Sequence, residues 1–190
     1  MKKWGLSAVI MILFVFFFVG CGEAIDFNAM ATKYVKACQD QDMEALFNMN
    51  VCMQAWIAKI RTKSPKVMVN TEVRELFERE KSSLRVMNKL DLFVPTMKWR
   101  LLETVRKPGA YDNLYGRDFY TLYIEMTYDD KETAPTIPFI PAHLNGVLRG
   151  DRPVKRLVAA IDFSASKKQY MGLGNYGLEV LDKKGVVYWE

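Results

Sequence analysis

Two glutamates sit where the surrounding pattern asks for apolar residues. Glu80 falls in the centre of an apolar helical stripe, three residues after Phe77 and four before Leu84. Glu103 runs in phase with Trp99, Leu101 and Val105 along an alternating segment, on the side otherwise meant for a core. A lone buried carboxylate is costly. Each glutamate therefore either lies at the edge of the core, reaching water or an arginine, or shares a polar spot in a concavity between helix and sheet. In the second case desolvation would raise a carboxyl pKa and mark a ligand site, or a general acid or base.

The other candidates fail on spacing. "GLGNYG" at 172–177 spells the dinucleotide fingerprint, which needs a following helix and an acid about 20 residues on. Only 13 residues follow Gly177 and they read as a hairpin, so these glycines read as a loop. Asp40, Asp42 and Glu44 open like a calcium loop, but Ala45 stands where the turn needs Gly and Val51 where it needs Glu. "RGD" at 149–151 is too short to carry weight, and His143, the only histidine, is isolated in a Pro-rich loop. Without a CxxC pair or a nucleophile elbow, zinc, redox and triad chemistry have no support, and no metal or cofactor is expected. Phe119, Tyr120 and Tyr123 suit strand pairs and a core before base stacking. The basic run Arg149, Arg152, Lys155 and Arg156 reads as a solvated strand entry before an anion site.

The chain begins with Lys2 and Lys3, then an almost wholly apolar run from Leu6 to Val19 that stops at Gly20-Cys21-Gly22. A charged start, a short apolar stretch and a small residue before the cut describe a secretory signal over residues 1–20. A transmembrane anchor would need roughly 20 apolar residues and a flanking charge cluster. Phe18-Val19-Gly20-Cys21 resembles the lipobox of bacterial lipoproteins. That resemblance implies cleavage before Cys21, lipidation of Cys21, a short tether over 21–25, and a place in the cell envelope. Gly22 after the cysteine implies the outer membrane, facing the periplasm, in a two-membrane bacterium. Removing the signal leaves 170 residues, enough for one domain over 26–190. It also leaves 25 basic against 22 acidic residues, a balance of +3 that fits nearby anionic headgroups but argues against nucleic acid.

With Cys21 lipidated, Cys38 and Cys52 would share an oxidising compartment. Bridged Cα atoms must lie within about 7 Å. An unbroken helix from Asp42 would carry Cys52 about 15 Å away from the turn near Cys38. A disulfide between them therefore needs a break near Asn48-Met49-Asn50; otherwise both are buried thiols.

Phe27, Met30, Ala31, Tyr34, Val35 and Cys38 recur at helical spacing. After the turn at 39–42, with Asp42 a plausible N-cap, Leu46, Met49, Met53, Trp56, Ile57 and Ile60 continue a second stripe to Ser64-Pro65. Lys66 to Val69 allows a short strand. Asn70 or Thr71 then caps a third helix facing with Val73, Leu76, Phe77, Leu84 and Met87. Period-two strands follow: Met97 to Arg106, Tyr120 to Tyr128, Leu157 to Phe163, and a last pair, Tyr176–Leu181 and Val186–Trp189, joined as a hairpin with Gly185 at positive φ. The connection from Asp129 to Pro153 is long, Pro-rich and apolar in part, and reads as a lid, a contact loop or packed structure. Helices first and antiparallel strands after them predict an α+β domain, with N-terminal helices packed on a curved antiparallel sheet.

"ATKYVKACQDQDMEALF" with the later strands resembles the NTF2-like and cystatin-like superfamily. The resemblance implies a helix-covered concave sheet, a scaffold that hosts binding modules and enzymes alike. The leading expectation is a lipid-anchored, non-enzymatic binding or accessory module for a small apolar ligand or an envelope protein. The alternatives are an enzyme using Glu80 or Glu103 as general base, and a structural docking protein in an envelope assembly.

Overall fold

Four helices precede six antiparallel strands in a computed structural model that describes residues 25–107, 118–138, 150–166, 169–181 and 185–190. The molecule is α+β, and its sheet is not closed into a barrel. No helix among the described residues is long and apolar enough to cross a membrane.

Helix α1 (Phe27–Gln39) starts at Asp26, whose carboxylate accepts the Ala29 N–H at 2.8 Å. Helix α2 (Met43–Met49) starts the same way at Asp42, which accepts from Ala45 at 2.9 Å. The second apolar stripe is divided. Asn50 ends α2 in extended backbone, and its Oδ1 accepts the Met53 N–H at 3.1 Å to start α3 (Val51–Lys63). The segment from Lys66 expected as a strand turns instead, closed by Met68 N–H to the Pro65 carbonyl at 2.8 Å. Helix α4 (Val69–Met87) therefore starts earlier than Asn70 or Thr71 would place it, with Met68 at its N-cap. It ends at Asn88, and Lys89, at φ +47°, leads into a 3-10 turn at Leu90–Leu92.

The strands are β1 (Lys98–Lys107), β2 (Asp118–Thr127), β3 (Thr136–Pro138), β4 (Asp151–Ser166), β5 (Gln169–Val180) and β6 (Val187–Tyr188). Strand β4 is the shared one, pairing with β2, β3, β5 and β6 along its length, while β1 pairs with β2. Of the alternatives open for the connection after Asp129, packed structure holds for part of its length, because β3 rejoins the sheet with Thr136 opposite Pro153; residues 139–149, which include His143 and Arg149, lie outside the described residues. Several expectations need correction here. The glycines at 172–177 belong to β5 rather than to a loop. Strands β5 and β6 form no hairpin with each other, since both pair with β4. Gly185 is not at positive φ; it lies close to β4, where an added Cβ would come within 3.2 Å of the Val158 Cβ.

Alternation divides the sheet into two faces. Leu122, Ile124 and Met126 of β2 and Leu157, Ala159, Ile161 and Phe163 of β4 are fully buried on one of them. In the same cluster α1 contributes Met30, Ala31, Tyr34, Val35 and Cys38, joined by Leu46, Met49, Leu92, Phe93 and Met97. A second, smaller cluster of Phe47, Met53, Ile57, Leu76 and Leu84 holds α2, α3 and α4 together. A buried polar contact links the two: the Tyr34 hydroxyl donates to Asn88 Oδ1 at 2.8 Å, and Asn88 Nδ2 donates to the Leu84 carbonyl at 2.7 Å.

Candidate ligand-binding cleft

The two glutamates do not meet. Glu80 is half-buried on α4 and accepts from the Nε of its neighbour Arg79 at 2.9 Å. Glu103 is exposed on β1. A bulge explains its position. Leu101 pairs with Ile124 and Glu103 with Tyr123, so Leu102 has no partner and the alternation slips by one residue. Thr104, opposite Leu122, takes the core-facing place that the sequence pattern gave to Glu103. Neither glutamate contributes to the walls of the three described clefts.

The cysteines are not bridged either, although the helix break at Asn50 is present. Cys38 and Cys52 are both free thiols. Cys38 faces the main core, where burial pushes its thiol up to about 12, and Cys52 is exposed on the first turn of α3. Tyr34 beside Cys38 is also raised well above its ordinary value, chiefly by burial. Cys38 and Tyr34 therefore stay protonated at neutral pH. Cys21 lies outside the described residues.

The largest described cleft, about 660 Å³, opens where the end of α4, the 3-10 turn, β3 and β5 converge. Val86, Leu92, Ile137, Leu178 and Val180 supply apolar walls, and Arg85, Lys89, Asp91 and Glu179 supply charge. Arg85 is fixed in place, donating to Asp91 Oδ1 at 2.9 Å and to Gln41 Oε1 at 3.3 Å. Gln41 and Lys89, the partner turns on either side, are both non-glycine residues at positive φ, 51° and 47°. Such backbone is strained and persists only where its surroundings over-determine it. Lys89 and Glu179 form no ion pair among the described residues. Val86, 74 % exposed, is an aliphatic residue left uncovered at this opening. Volume, apolar walls and a few charged groups match the ordinary design of a small-molecule site.

Two smaller clefts are more polar. One of about 420 Å³ lies between α2, α3 and α4 and is lined by Glu44, Phe47, Arg61, Arg74, Phe77 and Glu78 among others. One of about 240 Å³ involves Thr121, whose hydroxyl donates to Asp162 Oδ1 at 2.5 Å, and Lys107, 3.2 Å from the same carboxylate. On the same sheet face Glu125, nearly buried, accepts from Arg100 Nε at 2.8 Å and from an Arg156 nitrogen at 3.3 Å. The Arg100 hydrogen bond is the main influence holding its carboxyl below the usual range. Of the basic run, Arg156 thus pairs with a carboxylate, and Lys155 lies over the Trp189 ring at 4.9 Å. Among the described residues no group of three or more His, Cys, Asp or Glu side chains is placed to hold a metal ion.

Glu125, Lys89 and Leu178 belong to no motif in the sequence and are not among its candidate residues. Glu125 carried a usable signal, since an acid between Ile124 and Met126 on an alternating strand must face away from the core. Comparison of the chain with family models, with curated proteins and with solved structures finds no match.

Proposed function

We propose that the protein is a lipid-anchored cell-envelope protein, held through Cys21, whose domain is a non-enzymatic binding module for a small, largely apolar ligand. The cleft between α4, the 3-10 turn, β3 and β5 is the observation that carries this reading. Its five aliphatic wall residues offer burial, and Lys89 and Glu179 at the walls give a polar ligand end a partner. Apolar burial is worth roughly 25 cal/mol per Å², so a ligand covering such walls needs few polar contacts to bind. The anchor is supported by the N-terminal pattern that ends on Gly20-Cys21.

Native mass spectrometry of the protein, released gently from membranes, tests the binding reading. A bound small apolar molecule is expected on the wild type and should be lost from V86R. Val86 is already exposed, so the substitution fills the opening without disturbing the core. A retained molecule equally abundant on V86R would place the ligand elsewhere. The anchor has its own test. C21S should lose incorporation of labelled fatty acid, and equal labelling of mutant and wild type would remove the lipoprotein reading.

A further inference from the structure

The turn joining α3 to α4 exposes apolar side chains where a water-facing turn has no use for them. Val67 is 86 % exposed and Met68 is 49 % exposed, side by side after Pro65. Met68 also occupies the N-cap of α4 and makes no side-chain capping bond there. Ser, Thr, Asp or Asn at that place would satisfy a free helical N–H, so Met68 does not serve local stability. A single exposed valine on a protein surface is ordinary. The charge around this pair is not. From 59 to 71 the chain carries Lys59, Arg61, Lys63 and Lys66 and no acid. The next acid, Glu72, is half-buried and accepts the Ser64 hydroxyl at 2.6 Å. Arg61, Lys63 and Lys66 are exposed and form no ion pair among the described residues. About two turns back along α3 from its end at Lys63, Trp56 is half exposed, with Lys59 Nζ 5.4 Å and the Arg79 guanidinium 5.9 Å from its ring centre.

Aliphatic residues at a tip, cations around them and an indole set back from the tip match the layering of a bilayer surface. Basic side chains are drawn to anionic headgroups, aliphatic tips enter the acyl boundary, and tryptophan favours the level between. A protein partner would suit Trp56, Met68 and Arg61 as well, but three lysines, Lys59, Lys63 and Lys66, surround them, and lysine is depleted from the centres of protein interfaces. We infer that the α3–α4 turn is a membrane-contact site, with Val67 and Met68 inserting into an anionic phospholipid surface and Arg61, Lys63 and Lys66 pairing with its phosphates. The inference rests on the envelope reading only for nearness to a bilayer. With an acylated N-terminus as a first attachment, such a tip would be a second one and would fix the orientation of the domain.

The test uses the full chain reconstituted in phospholipid vesicles, with a diazirine amino acid at position 67 and, in a second preparation, at the exposed position 102 on β1. After illumination, phospholipid adducts at 67 are expected to exceed those at 102 several-fold in vesicles containing phosphatidylglycerol. They should fall several-fold in pure phosphatidylcholine, and equally with K63E/K66E. Adducts to protein in place of lipid at 67, or equal lipid adducts at 67 and 102, would overturn the inference. C21S separates this site from the anchor. Loss of acylation with lipid adducts kept at 67 supports a tip with affinity of its own, whereas loss of both overturns it.

Discussion

At the scale of single residues, Glu125 shows how the sheet can hold an almost buried charge. Two guanidinium groups come from strands on either side, Arg100 from β1 and Arg156 from β4, and each takes one carboxylate oxygen. The arginines are largely solvated, so screening limits the stabilisation to on the order of 1 kcal/mol. E125Q should lower stability by about that amount at pH 7. The folded pKa lies below the unfolded value of about 4.3, so the unfolded chain takes up the proton first. The contribution is complete above that value and disappears as pH falls through the folded pKa. Thermal melts of wild type and E125Q should therefore converge on acidification, and a gap unchanged at low pH would show that packing rather than charge is lost. The thiols give a second prediction at this scale. A maleimide should modify Cys52 rapidly in the native protein and reach Cys38 only on unfolding, as read by peptide mapping; equal rates would contradict the burial of Cys38.

At the scale of elements, periodicity revealed the type of the long helices and of β1, β2 and β4, but not the glycine-rich part of β5, and it missed what interrupts them. The α1 stripe and the alternation of β2 and β4 were legible because one residue in two, or in three to four, must face the core whatever its partner. The β1 bulge was not, since a bulge is defined by the partner strand, and Leu102 is as apolar as Leu101 before it. That single slip moved Glu103 from an expected core position to solvent. Deleting Leu102 should restore strict alternation, with Leu101 still facing inward and Glu103 outward. We expect the deletion variant to fold with a melting temperature within a few degrees of wild type. It should also self-associate more readily by light scattering, because a regular edge strand is a better template than a bulged one. Global unfolding of the variant would mean instead that the bend is required for β1 to follow the rest of the sheet. The Asn50 corner is a comparable case. N50A should lose about 1 kcal/mol through the missing cap while N50S keeps most of it, and equal melts for the two would assign the corner to packing alone.

At the scale of the whole molecule, the cleft was illegible for a further reason: its walls come from three stretches that no local pattern connects. The end of α4 with the 3-10 turn, β3 and β5 supply Val86 and Leu92, Ile137, and Leu178 from separate places in the chain. Only a correct strand pairing brings them together. The same separation governs how the helices join the sheet. Helices α3 and α4 share the smaller cluster and also lie against β5, and that cluster meets the main one through α2 and through Tyr34 and Asn88. A protein built this way need not open all at once. The α3–α4 pair should breathe as a unit, swinging loose while α1 stays on the strands. In native-state hydrogen exchange, amides of α3 and α4 should share one opening free energy, below that of β2 and β4. Y34F, which removes the hydroxyl bridging the clusters, should lower the first value and leave the second almost unchanged. If all these amides open with one common free energy, the two clusters are a single cooperative core. If they do not, the helical pair can yield to a force at its tip without unfolding the sheet.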